Sequence, residues 1–116
     1  MGIESSLFSV LILVGGIFVF AGMLTAIFPP KKINYLYGYR TISSMKSQEN
    51  WDFSQKYAAR LLILIGLFLS VIATFGLFIS FSERIDFGIA MALVLASVFF
   101  LLIKTERAIE KKFPKN

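Results

Sequence analysis

The 116-residue chain contains no cysteine and no histidine. Without cysteine, disulfides, thiol redox chemistry, iron–sulfur clusters and thiolate zinc sites are all excluded. Without histidine, the commonest general base and the commonest metal ligand are missing as well. Charge is scarce: Asp, Glu, Lys and Arg make up 16% of the residues, against about 25% in soluble domains. What fills the space is apolar. Hydrophobic residues reach 57%, above the roughly 45–50% of a soluble chain. So short a chain buries only a modest fraction of its surface, and the surplus must face lipid. The expectation is a small membrane protein with a single domain over residues 1–116, without cofactor, metal or catalytic constellation.

Three runs are long enough to cross a bilayer. Leu7 to Phe28 carries no charge and only Ser9 and Thr25 as polar residues. As a helix it spans about 33 Å, enough for a hydrocarbon core of about 30 Å. Leu61 to Phe81 is interrupted only by Ser70, Thr74 and Ser80, and Phe87 to Ile103 is the shortest, its helix expected to continue into the charged tail. The first run is too long for a cleaved signal peptide and has only Glu4 before it as a charged side chain, so it is expected to stay as an anchor. Pro29-Pro30 must end the first helix and Pro114 the last. Ser82 to Asp86 reads as a short turn between antiparallel second and third spans, with Asp86 as N-cap of the third. The fold class expected is an all-α membrane protein: three transmembrane helices (about 7–28, 61–81 and 87–103) with a structured cytoplasmic loop, 29–60, between helices 1 and 2.

Charge sets the expected orientation. Lys31, Lys32, Arg40, Lys46, Lys56 and Arg60 lie in the loop, and Lys104, Arg107, Lys111, Lys112 and Lys115 in the tail. Only Arg84 lies elsewhere, and three spans place loop and tail on one side, which the positive-inside rule makes cytoplasmic. The N-terminus is then outside and the C-terminus inside. The net charge of +5 is accounted for by this topology and by attraction to anionic membrane lipids, and no nucleic-acid partner is expected.

None of the three runs contains Asp, Glu, Lys or Arg. Proton relays and cation pathways depend on intramembrane ionisable groups, so an ion-coupled transporter is disfavoured. Small residues recur instead at four-residue spacing: Gly22/Ala26, Gly66/Ser70, Gly76/Ser80 and Gly88/Ala92/Ala96, besides the pair Gly15-Gly16. Such faces let helix backbones approach. They serve either the mutual packing of the three spans or a homo-oligomer.

The loop is where specificity would reside, because long ordered loops are usually functional. Tyr35, Tyr37 and Tyr39 alternate and would share a face if extended. Gly38 between two of them points to a tight approach or positive φ, and Arg40 offers a five-donor fork. Ser47 can cap a helix that carries Glu49 and Asn50 in its first turn and runs on into the second span. On that helix Trp51, Gln55 and Ala58 share a face, Asp52 and Lys56 can pair, and Trp51, Phe53 and Tyr57 would sit near the lipid boundary as an aromatic belt. Glu49 and Asp52 could form an acid–base or Mg²⁺-binding pair beside Arg40, but the acid preference of a helix N-terminus explains them without chemistry.

The order Asn34-x-x-Tyr37-Gly38-Tyr39-Arg40-Thr41-x-x-Ser44-Met45-Lys46-Ser47-x-x-x-Trp51-x-x-x-Gln55 resembles the signature of the SdpI/YfhL family of small bacterial membrane proteins. Ile42 stands where the family pattern would place proline. The resemblance implies immunity: a non-enzymatic membrane protein that protects the cell envelope from a toxin peptide. The implied binding patch is Asn34, Tyr37, Gly38, Tyr39, Arg40, Thr41, Ser44, Trp51 and Gln55. The alternative, from the small-residue faces, is an accessory or scaffolding subunit of a larger membrane complex.

Overall fold

The computed structural model describes residues 5–79 and 81–114 and is helical between its loops. Three helices follow in order: α1 (Ser6–Ile27), α2 (Gln48–Phe75) and α3 (Glu83–Lys112). All three are long and apolar enough to cross a membrane. The molecule measures 53 × 28 × 20 Å, longer than the roughly 40–45 Å of a whole bilayer, so the polar ends of α2 and α3 project beyond it.

Each helix begins on a serine. Ser5 Oγ accepts from the amides of Leu7 and Phe8 at 3.1 and 3.4 Å, Ser47 Oγ from Asn50 at 3.1 Å and Ser82 Oγ from Ile85 at 3.3 Å. These bonds satisfy donors that an uncapped first turn would leave open. At the other end of α1 the Phe28 amide closes onto Leu24 O, and Pro29 has no amide with which to continue. The helix from Gln48 runs unbroken into the second span, as expected.

Two boundaries differ from the sequence expectation. The second span ends at Phe75, not Phe81. Gly76 caps the helix there and packs against the start of α1, where a Cβ would stand 3.0 Å from Phe8 N; glycine carries the lowest helix propensity apart from proline. The segment 82–86, expected as a turn, contains the start of α3, and the turn falls earlier, after Gly76. Ser82 takes the N-cap role, so Asp86 is not the cap. Asp86 is instead buried in the first turn, where Oδ2 accepts from Ser5 Oγ at 3.3 Å and Oδ1 from the Phe81 amide at 3.2 Å. Glu83 accepts from Ser6 Oγ beside it. The α2–α3 turn is thereby tied to the start of α1.

The helices do not share contact equally: α1 and α2 lie against each other along most of their length, whereas α3 touches both more lightly. The reason is the small residues. A Cβ on Gly15 would stand 2.8 Å from Gly66 O and 2.6 Å from Ser70 Oγ, and one on Gly66 would stand 2.7 Å from Gly15 O. Gly22 meets the Ala59 carbonyl in the same way. Backbone-to-backbone approach of this kind replaces the hydrophobic drive that lipid removes. Leu7, Leu11, Ile65, Leu69, Ala73 and Ala90 form the buried core beside it. The small residues of α3 do not join in: Gly88 has nothing within 4 Å of a Cβ position, and Ala92 and Ala96 are exposed. Ser80, paired with Gly76 in sequence, and Glu4 and Lys115 lie outside the described residues.

Candidate functional site at the α1–α2 loop

The loop leaves α1 through Pro29-Pro30 and is turned by its own side chains. Asn34 Oδ1 accepts from the amides of Leu36 and Tyr37 at 2.9 and 2.8 Å, an Asx turn, and its Nδ2 donates to Lys32 O at 2.9 Å. That turn directs the Tyr37 hydroxyl back to α1, where it donates to Phe28 O at 2.7 Å, one of the carbonyls the helix end leaves open. Tyr35 stays exposed. The tyrosines therefore do not share a face, because the Asx turn breaks the extended geometry that alternation requires.

Gly38 follows at φ +101°, a conformation that L side chains rarely adopt. Space forbids a side chain as well: a Cβ would lie 2.5 Å from Gln55 Oε1 and 2.7 Å from Pro30 Cγ. The glycine brings the next peptide onto α2. The Tyr39 amide donates to Gln55 Oε1 at 2.7 Å, and Gln55 Nε2 donates to Tyr39 O at 2.8 Å. Two helical turns of α2 thus grip the loop: Gln55 at Tyr39, and Trp51 Nε1 donating to Pro30 O at 2.6 Å. Trp51 is wholly buried. It does not sit in an aromatic belt at the lipid boundary, because its indole N–H is committed to the buried Pro30 carbonyl.

Beyond Tyr39 a second turn forms around Ser44. Ser44 Oγ accepts from the Thr41 amide at 2.8 Å and is within donating reach of the Tyr39 and Thr41 carbonyls, while the Ser44 amide donates to Thr41 Oγ1 at 3.2 Å. Asn50 Nδ2 reaches Ser43 O at 2.9 Å. At the start of α2 the Gln48 amide group bridges Lys31 O and Asp52 Oδ1. Asp52 is therefore engaged along its own helix while Glu49 stays exposed in the first turn.

The connection to α3 runs through one carboxylate. Glu106 Oε2 accepts from the Tyr39 hydroxyl at 2.6 Å and from Thr41 Oγ1 at 2.7 Å. Glu106 lies past the uncharged stretch that ends at Ile103. Burial pushes its carboxyl upward, but hydrogen bonds from Tyr39, Ser43 and Thr41 together outweigh this and hold it below the usual 4.5. Burial, and then the Glu106 carboxylate, push the Tyr39 phenol above its ordinary 10.0. At neutral pH the contact is a neutral phenol donating to an ionised acid.

The sequence-derived site residues divide in two. Asn34, Gly38, Thr41, Ser44, Trp51 and Gln55 shape the loop and hold it to the helices, and the Tyr37 and Tyr39 hydroxyls are likewise engaged. Arg40 is exposed, with Nη1 donating to Tyr35 O. Under the Tyr37–Gly38–Tyr39 segment lies an apolar cleft of about 340 Å³ bounded by all three helices, with Leu24, Thr25, Ala58, Leu62 and Leu101 among its walls. Glu106, Pro30 and Asn50 were missed by the sequence reading. For Glu106 a signal exists: positions three and four residues away are Leu102, Ile103, Ile109 and Glu110, so it has no cation at helical spacing.

Comparison with known proteins places residues 31–104 in a match to the SdpI/YfhL protein family. Protein YfhL of Bacillus subtilis (strain 168), described as uncharacterized, is 38% identical over 96 residues, covering 83% of this chain and 82% of that protein. No solved structure gives a significant match.

Proposed function

The chain belongs to the SdpI/YfhL protein family, and from that membership we propose that this multi-pass membrane protein protects the cell envelope against a membrane-active toxin peptide. It acts by binding, not by catalysis. One observation carries the reading beyond family resemblance: the motif loop is fastened to all three helices, roofs an apolar cleft of about 340 Å³ and carries an exposed Arg40 next in sequence to Tyr39, which lines the cleft. An apolar side chain of the peptide enters the cleft, and Arg40 takes a carbonyl or carboxylate. The Lys/Arg asymmetry supports a cytoplasmic position for this surface; a reporter fused to the C-terminus should be cytoplasmic.

Deletion should sensitise cells to an envelope-permeabilising peptide, and wild-type protein should restore resistance. Arg40→Ala at normal protein level should not. Unchanged sensitivity after deletion overturns the reading.

A second reading, a subunit of a larger membrane complex or a homo-oligomer, is supported by the exposed Gly88, Ala92 and Ala96 of α3. Purification in mild detergent that yields the monomer alone removes it.

A further inference from the structure

At the basic end of the molecule an open groove lies between α2 and α3, lined by residues of these two helices. Its mouth has a volume of about 590 Å³ and is bordered by Phe53 and Tyr57 of α2 and by Lys104, Arg107, Lys111 and Lys112 of α3. Among the described residues no acidic side chain borders it. Glu106 is turned to Tyr39 and Thr41, while Arg107 also borders a shallower neighbouring surface together with Glu106 and Glu110. Lys104 and Lys111 therefore fall two turns apart on one stripe, with Arg107 between them. The floor is fixed: Phe53 meets Phe113 edge-on at 5.9 Å and Tyr57 at 5.7 Å, and Lys112 Nζ stands 5.5 Å over its ring.

A second, apolar groove of about 410 Å³ lies next along the same pair of helices, and Phe100 borders both. Leu64 and Phe68 of α2 face Leu93, Ala96 and Ser97 of α3 there. Small residues at 96 and 97 keep it open. From Phe53 to Phe68 the α2 axis rises about 22 Å, close to half of a bilayer roughly 40–45 Å thick including headgroups. Cations lie at one end of this length and hydrocarbon walls along the rest.

We propose that this groove holds one anionic phospholipid of the leaflet at the basic end, its phosphate among Lys104, Arg107, Lys111 and Lys112 and one acyl chain along the Phe100–Phe68 channel. The match of groove length to a single leaflet, with four cations and, among the described residues, no acid lining the groove, selects an anionic lipid over a zwitterionic one. The proposal is independent of toxin immunity.

The test is native mass spectrometry of the full chain released from nanodiscs of phosphatidylglycerol or of phosphatidylcholine. One retained phosphatidylglycerol per chain is expected, and far less phosphatidylcholine. Lys104→Gln/Lys111→Gln/Lys112→Gln should lower phosphatidylglycerol retention by at least about tenfold, whereas Lys31→Gln/Lys32→Gln should leave it unchanged. Ala96→Phe, on the exposed face of α3, should block the chain and lower retention without altering the cations. Soluble glycerol phosphate should not displace the lipid. Equal retention of the two lipids from wild-type protein overturns the proposal whatever the variants do, as do undiminished retention in the triple variant and displacement by glycerol phosphate.

Discussion

Gln55 binds the Tyr39 peptide group on both sides, accepting from its amide at 2.7 Å and donating to its carbonyl at 2.8 Å. The pair is the hinge of the loop, since it lies between the Asx turn at Asn34 and the bonds to Glu106. With Gln55 only 4% exposed, a hydrophobic replacement leaves the Tyr39 amide without a partner and its carbonyl with only the Ser44 hydroxyl. Gln55→Leu should destabilise by about 1–3 kcal/mol, the cost of one orphaned buried group. Gln55→Glu keeps the acceptor and loses the donor, so its loss should fall in between. Thermal unfolding in detergent, followed by circular dichroism, checks the order.

Two glycines should respond in opposite ways to the same methyl group. Gly38→Ala meets a positive φ and a Cβ position 2.5 Å from Gln55 Oε1, so it should cost about 1–3 kcal/mol. Gly16 is helical and has nothing within 4 Å. Gly16→Ala should be neutral or stabilise by up to about 1 kcal/mol through helix propensity. Equal midpoints for the two variants would contradict this account of the loop.

The spans could be read from sequence because lipid imposes a one-dimensional rule: a run without charge, ended by proline, is a helix of membrane length. The serine caps followed for similar local reasons at Ser47. The turn between α2 and α3 was less legible, since the sequence stays apolar from Phe75 through Ile79 and hydropathy gives no sign that the helix ends at Gly76. Trp51 reads as an interfacial aromatic by composition and is a buried one by hydrogen bonding, a distinction that only the position of Pro30 decides. Glu106 was hidden for the same reason: its partners, Tyr39 and Thr41, are more than 60 residues away. The motif residues could be named, but not their division into those that hold the loop and the one, Arg40, left exposed.

Thr105 offers an independent check on the α3 side of the clamp. Its side chain is wholly buried, and Oγ1 lies near the Tyr39 hydroxyl without a well-formed hydrogen bond among the described residues. An unpartnered buried hydroxyl costs about 1–3 kcal/mol, so removing it should help. Thr105→Val keeps the shape and should raise stability by about 1 kcal/mol. Thr105→Ala removes the methyl as well and should gain less or lose. A clear loss in the valine variant would place a hydrogen bond on that hydroxyl.

The Tyr39–Glu106 contact gives stability a defined pH window. Glu106 titrates below its ordinary 4.5 in the folded protein, so the unfolded chain takes up its proton first as pH falls, and the contribution is present above about 4.5 and lost below it. Tyr39 titrates above its ordinary 10.0, so the unfolded chain releases its proton first as pH rises, and the contribution is present below about 10 and lost above it. For this contact the unfolding midpoint should be flat through neutral pH and fall at both ends. Tyr39→Phe should remove the alkaline fall and reduce the acid one, because Glu106 keeps Thr41 as a donor. Glu106→Gln should remove the acid fall while costing about 1 kcal/mol at neutral pH, since a neutral acceptor binds a phenol about half as strongly as a carboxylate does. If the two variants keep the wild-type profile at both extremes, this pair does not fasten the loop to α3.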